Sequence, residues 1–177
     1  MHTIIARPGA LLGVVLLSAA ACTPDRVGPM APEAAVFPSV LGSYAGTATV
    51  TGTTEFGVRE SASCPIRIDV LSQTDAAFSG GFVLSGGDCD PIPGTLNGTV
   101  QESGTLSVFA DAEGGGANVF EDAAARAGCT LVSSSGTLNG AIVGTQLTLQ
   151  ATAAYDCPTT FGDVRVNVSG SVTASRT

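Results

Sequence analysis

The stretch Gly94-Thr95-Leu96-Asn97-Gly98-Thr99-Val100-Gln101-Glu102-Ser103-Gly104-Thr105-Leu106-Ser107-Val108-Phe109-Ala110 decides the fold class. Leu96, Gly98 and Val100 share one parity, and Thr95, Asn97 and Thr99 share the other. After Glu102-Ser103 the pattern resumes with Leu106, Val108 and Ala110. Apolar or small residues at every second position describe a strand with one buried face, and a short polar link between two such runs describes a hairpin.

The same alternation recurs outward in both directions. It is present in Tyr44/Gly46/Ala48/Val50, Ile66/Ile68/Val70, Phe78/Gly80/Phe82/Leu84, Leu138/Gly140/Ile142, Leu147/Leu149/Ala151/Ala153/Tyr155 and Val164/Val166/Val168/Gly170/Val172. Eight strands result, at about 42–53, 64–72, 77–87, 94–101, 104–111, 129–142, 145–156 and 163–174. The links near 73–76, 88–93, 102–103 and 143–144 are short, so sequence neighbours become spatial neighbours. An eight-stranded meander hides both edges most simply by pairing its last strand with its first. The expectation is an all-β, eight-stranded antiparallel up-and-down barrel. Between strands five and six, Gly114-Gly115-Gly116 is followed by 118–127, which reads as one short helix. Asn118 can cap it, Glu121 sits three residues on, and Gly128 can end it.

Glycine inside a strand normally weakens it. Here Gly46, Gly80, Gly98, Gly140 and Gly170 all fall on the apolar parity, and the pentapeptide Gly-Thr-Leu-Asn-Gly occurs at both 94–98 and 136–140. On a concave face a missing Cβ permits tight coiling of the sheet, so barrel closure is the favoured role. Room for a ligand is the functional alternative.

Of five cysteines, Cys64, Cys89, Cys129 and Cys157 belong to the strand region, and three pairings are open to them. Register selects among these. A turn at 73–76 opposes residues whose numbers sum to about 149, which brings Cys64 near Cys89. A turn at 143–145 opposes residues summing to about 288, which brings Cys129 near Cys157. Structural disulfides are expected, because the Cys-x-x-Cys spacing of redox or zinc sites is absent.

Residues 1–21 carry Arg7, an apolar run over 10–17 and small residues before Cys22, the pattern of an export signal. The run is too short to span a bilayer. Residues 22–39 contain Pro24, Pro29, Pro32 and Pro38 without periodicity and read as a tether, leaving 40–177 as the barrel domain. Without 1–21 the chain has about 156 residues, no His, Lys or Trp, and six arginines against fifteen acidic residues, a formal charge of −9. Ser/His/Asp and Cys/His catalysis, His-ligated zinc and Schiff-base lysines are excluded on composition. So much negative charge also argues against nucleic acid as a partner.

Carboxylates are the remaining catalytic candidates: Asp88 and Asp90 beside Cys89, Asp111 and Glu113 at a strand end, and Glu121-Asp122 on the helix. No opposed pair of the glycosidase kind is evident, and no spaced acidic loop for calcium. Neither enzymatic activity, a metal nor a cofactor is expected. Arg67, Asp69 and Arg165 lie on the polar parity and read as surface charges. A transmembrane barrel would turn the alternation inside out and carry large aliphatics with Tyr/Trp girdles on its lipid face. The repeated Gly and Ala, the absence of Trp and the polar end Ser175-Arg176-Thr177 disfavour it.

Two resemblances bear on function. Ala19-Ala20-Ala21-Cys22 resembles the lipobox of bacterial lipoproteins, although a larger aliphatic residue is usual three places before the cysteine. It implies lipidation of Cys22, the membrane as a partner and, with Thr23 following, the outer membrane. Gly42-Ser43-Tyr44-Ala45-Gly46-Thr47 resembles the first strand of lipocalin- and avidin-like barrels, with Tyr44 where Trp is usual. That resemblance implies a calycin-type fold and, with less force, a ligand pocket.

Two functional readings follow. In the first, a lipid-anchored barrel binds a small, mostly apolar ligand at its mouth, with Tyr44, Phe78, Phe82 and Tyr155 as lining residues. In the second, the barrel is filled and its acidic loops bind a basic envelope protein, as small lipoprotein inhibitors do.

Overall fold

The structure is a computed structural model that describes residues 35–86, 89–112 and 119–177. The segments expected as export signal and tether, with Cys22, lie outside the described residues up to residue 34. So do Asp88, Glu113, Asn118 and the Asp90 side chain. Strands β1 (Gly42–Thr54), β2 (Arg59–Thr74), β3 (Ala77–Gly86), β4 (Cys89–Val100) and β5 (Thr105–Ala112) precede α1 (Val119–Ala127). Strands β6 (Thr130–Ser134), β7 (Leu138–Val143), β8 (Gln146–Thr159) and β9 (Gly162–Arg176) follow it. Antiparallel pairing runs β1-β2-β3-β4-β5-β7-β8-β9, and β9 returns to β1 from Tyr44↔Arg176 through Thr54↔Val166. The chain is a closed eight-stranded antiparallel barrel with one short helix after its fifth strand.

The single strand expected over 129–142 is two segments, β6 and β7, both paired to the same edge of β8. A register shift between Leu131 and Ser133 starts the break. Gly136 completes it at φ 71°, a left-handed conformation that glycine adopts without steric cost. Ser135 holds the corner: its hydroxyl donates to the Thr137 carbonyl at 2.8 Å and its backbone N–H donates to Thr152 O at 2.8 Å. As a result β5 pairs β7 only over Thr105–Val108, and the sheet parts between the rest of β5 and β6.

Helix α1 packs against β5, β6 and β8 at that parting. Glu121 and Asp122 in its first turn and Arg126 in its last suit the helix dipole, and Asp122 pairs with Arg126 at 2.6 Å. Gly128, at φ 66°, ends it. Its N–H donates to Ala125 O at 3.2 Å and that of Cys129 to Ala124 O at 2.9 Å, the paired bonds of a Schellman stop.

The barrel end holding the start of β1 and the end of β9 is packed solid. Tyr44, Val40, Val100 and Leu106 are its most deeply buried side chains, and Val70, Phe78, Ile142, Leu147 and Ala174 fill around them. The last residues of the stretch read as a tether take part in this seal. Phe37 packs on the core, Pro38 O accepts from Gln73 Nε2 at 3.1 Å, and Ser39 O accepts from Arg176 Nη2 at 2.9 Å.

The inward glycines divide by what faces them. A Cβ on Gly46, Gly80 or Gly140 would lie closer than 3 Å to a backbone carbonyl of the adjoining strand, so at these positions only glycine lets the sheet coil so tightly. Gly98 and Gly94, where a Cβ would also meet a carbonyl within 3 Å, lie directly opposite Phe78 and Phe82, with a phenyl ring covering each. Gly170 alone of the five recurrent inward glycines faces open space.

The outer face carries the other parity. Thr49 with Ser63, Thr51 with Ser61, and Ser72 with Ser79 form hydroxyl pairs across neighbouring strands at 3.1, 2.9 and 2.7 Å. A polar exterior around an apolar interior is the reverse of a barrel built to span lipid.

Candidate functional site

Above the packed end the barrel interior is hollow. The cavity has a volume of about 190 Å³. Its walls come from alternate residues of the strands, among them Ile66 and Ile68 of β2, Phe82 of β3, Leu96 of β4, Val108 of β5, Leu149 of β8 and Val172 of β9. Val119, Phe120 and Ala123 of α1 roof one side. The hollow exists because the strand parity that supplies large side chains at the packed end supplies Ala48, Ala110, Ala151, Ala153 and Gly170 here.

Along β1 and β9 the cavity is open. Val50 points inward from β1 yet is 45% exposed, and it pairs in register with Gly170 of β9. Val168 and Gly170 continue this mouth along β9. Tyr155 carries a polar atom on the wall, and it is already used: its hydroxyl donates to the Phe120 carbonyl at 3.3 Å, which ties β8 to the roof. Burial pushes the ionisation of that phenol above its ordinary value. The site therefore offers dispersion contacts, with no charged group among the described residues of its wall.

The structure separates the four aromatic residues singled out in the sequence. Phe82 and Tyr155 line the cavity. Tyr44 and Phe78 stand at the packed end. Tyr44 is held there because its hydroxyl bonds the Val40 carbonyl at 2.8 Å and accepts from Arg176, and Phe78 because its ring covers Gly98. The roof residues Val119 and Phe120 and the mouth residues Val50 and Val168 were not identified from sequence. Their signal was weak, since the helix stripe is short and Val50 continues an ordinary strand alternation.

Cys64 is bonded to Cys89, with Cα atoms 5.8 Å apart, and Cys129 to Cys157, with Cα atoms 4.3 Å apart. The first joins β2 to the start of β4 across the end of β3. The second fixes the residue leaving α1 to β8 and so holds the roof on the barrel.

The described acidic residues form no cleft. Asp69 accepts from the Ser43 hydroxyl and from Arg67, which together hold its carboxyl below the usual range, and Arg165 does the same for Asp156. Asp111, Glu121 and Asp122 do not line the cavity. Among the described residues no three His, Cys, Asp or Glu side chains gather to hold a metal ion, and no helix is long and apolar enough to cross a membrane.

No family model and no curated protein matches this chain. Solved structures similar to it include the following two. A redesigned beta barrel, b11L5F_LGL, matches at 15% identity over 75% of this chain and 90% of its own, with a TM-score of 0.38. EF1p2_mFAP2b bound to DFHBI matches at 15% identity over 75% of this chain and 92% of its own, with a TM-score of 0.40.

Proposed function

We propose that this protein is an exported barrel, lipid-anchored through Cys22, that binds a small, mostly apolar ligand in the cavity beneath α1. The observation that carries the reading is the open space in front of Gly170, inside an apolar hollow of about 190 Å³ with a mouth at Val50. An apolar hollow of this kind gains free energy whenever an apolar molecule leaves water to fill it.

Size limits the ligand. At liquid-like packing, about 0.5–0.6, the cavity holds roughly 100 Å³ of ligand atoms, one substituted benzene ring or a chain of about six carbons. A longer or polar-ended molecule would leave its remainder at the mouth. With no charged group among the described residues of the wall, and with its phenol, Tyr155, already bonded to the Phe120 carbonyl, the site favours neutral hydrocarbon and fits a binding protein better than an enzyme. The alternative, a filled barrel serving only as an acidic docking module, is less well supported, because Asp69, Asp122 and Asp156 are each paired with an arginine.

Native mass spectrometry of the exported protein tests this reading. An acyl mass on Cys22 together with a co-purifying small apolar molecule is expected. An unmodified Cys22 would remove the anchor, and an empty protein that takes up no added hydrocarbon would remove the binding role.

A further inference from the structure

Two hairpin tips beside the cavity mouth carry the most exposed aromatic side chains of the described residues. Phe56 in the β1–β2 turn is 76% exposed and Phe161 in the β8–β9 turn is 99% exposed, with Val58 beside the first. We propose that these tips dock the open end of the barrel onto a zwitterionic lipid surface.

The two tips belong to one end of the molecule. Thr54 pairs with Val166, and beyond this pair the Glu55 N–H donates to Arg165 O at 3.0 Å, so the first tip is bonded to the strand that the second tip begins. Phe161 lies four residues from Arg165 along the chain, about 13 Å if extended. Both tips are closed by their own hydrogen bonds. Gly57 N–H donates to Thr54 O at 2.9 Å, the Thr159 hydroxyl donates to Gly162 O at 2.6 Å, and Phe161 N–H donates to the Thr159 hydroxyl at 3.2 Å. Each phenyl ring is thus held outward by a formed turn.

Shape and charge select the partner. Two separate convex tips would require two matched sockets in a folded protein, whereas a fluid interface admits both without a matching shape. The charged residues nearest them along the chain are Glu55, Arg59, Glu60, Asp156, Asp163 and Arg165, four acidic and two basic. With no basic cluster, they give no attraction to anionic headgroups. From the tips, the inward-facing Val164, Val166 and Val168 of β9 are only partly buried and lead to Gly170. The choice of lipid over another apolar partner leans on the reading of the cavity as an apolar-ligand site, since a bilayer is where such a ligand dissolves.

The chain contains no tryptophan, so a single Phe56→Trp or Phe161→Trp substitution in the full chain gives one emitter at each tip. Asn97→Trp, on the outer face of β4, is the control. On adding phosphatidylcholine vesicles, both tip variants are expected to shift to the blue and to be quenched roughly twofold by brominated acyl chains, as for a ring at the acyl boundary. Asn97→Trp should do neither, and added phosphatidylglycerol should not increase the response. Tip emission unchanged by vesicles, or changed no more than the control, overturns the proposal. A blue shift that grows with protein concentration without lipid also overturns it and assigns the tips to self-association. Toluene titrated into the same variants without vesicles, followed by the methyl resonances of Leu149 and Val172, reports on the cavity alone, so failure of the ligand reading is seen separately from failure of docking.

Discussion

Arg176, the last residue of β9, donates from Nη2 to the Tyr44 hydroxyl at 2.7 Å, and the same hydroxyl donates to the Val40 carbonyl at 2.8 Å. The guanidinium carbon also stands 5.3 Å from the Tyr44 ring centroid. One fully buried phenol therefore joins the first and last strands of the barrel to the segment that plugs it. Tyr44→Phe removes the shared oxygen and leaves the Val40 carbonyl and the guanidinium each short of a partner. The expected loss is about 1–3 kcal/mol, read as a lowered midpoint in urea with unchanged slope. Affinity for an apolar ligand should stay within about twofold, because Tyr44 is remote from the cavity. A large loss of affinity without loss of stability would contradict this division of the barrel.

The glycines supply a sharper contrast. Gly140→Ala and Gly46→Ala drive a methyl into a carbonyl oxygen of the next strand and are expected to cost about 3 kcal/mol or more, or to prevent folding. Gly170→Ala meets open space and should be neutral or stabilise by up to about 1 kcal/mol, because alanine restricts the unfolded chain. Thermal unfolding of the three variants side by side checks the order. Equal losses would show that Gly170 is also a closure residue.

That contrast marks how far the sequence could be read. Strand parity identified the eight-stranded barrel and the inward glycines, because period-two alternation is a local property of the chain. Register was nearly right: the expected sum of 149 for the second hairpin partners compares with Arg67↔Val83 and Val70↔Gly80. In the later hairpin one sum could not serve, since Asn139↔Gln150 and Thr130↔Asp156 differ by three, the slip introduced at Leu131–Ser133 and the Gly136 corner. Periodicity gives no warning of such a break. Nor does it say which inward aromatic meets a glycine and which meets a void. Phe78 and Phe82 look alike in sequence, and both cover glycines of β4, but only Phe82 also lines the cavity, because it sits four residues nearer the open end.

The two disulfides should contribute to stability similarly and to ligand exchange differently. With sequence separations of 25 and 28, each is expected to add about 3–4 kcal/mol in the chain-entropy model. Replacing Cys129 and Cys157 by Ala frees the exit of α1 from β8, so amide exchange in α1 and ligand off-rate should both rise. Replacing Cys64 and Cys89 should leave α1 protection relatively unchanged. Equal effects on α1 would show that the roof is held by packing alone.

Alkaline pH should loosen the roof. The Tyr155 phenol ionises above its ordinary value near 10 because burial disfavours the phenolate. Its folded pKa is raised, so its contribution is fully present below pH 10 and is lost as pH rises through the folded value. The ultraviolet titration difference between the protein and Tyr155→Phe should place this ionisation above 10. Tyr155→Phe, which cannot ionise, should flatten the stability loss in the same range, and an unaltered profile would count against the assignment.

The most direct test of the central claim is a toluene titration followed by methyl resonances of the protein and of Gly170→Val. Transfer of about six carbons at about 0.8 kcal/mol each corresponds to a Kd on the order of 10⁻⁴ to 10⁻³ M. The account predicts saturable shifts at that concentration centred on Leu149, Val168 and Val172, with little change at Val40, Val100 and Leu106. It also predicts that Gly170→Val, folded and at least as stable, loses them. An absence of saturable shifts near the solubility limit of toluene, or identical shifts in Gly170→Val, would contradict it.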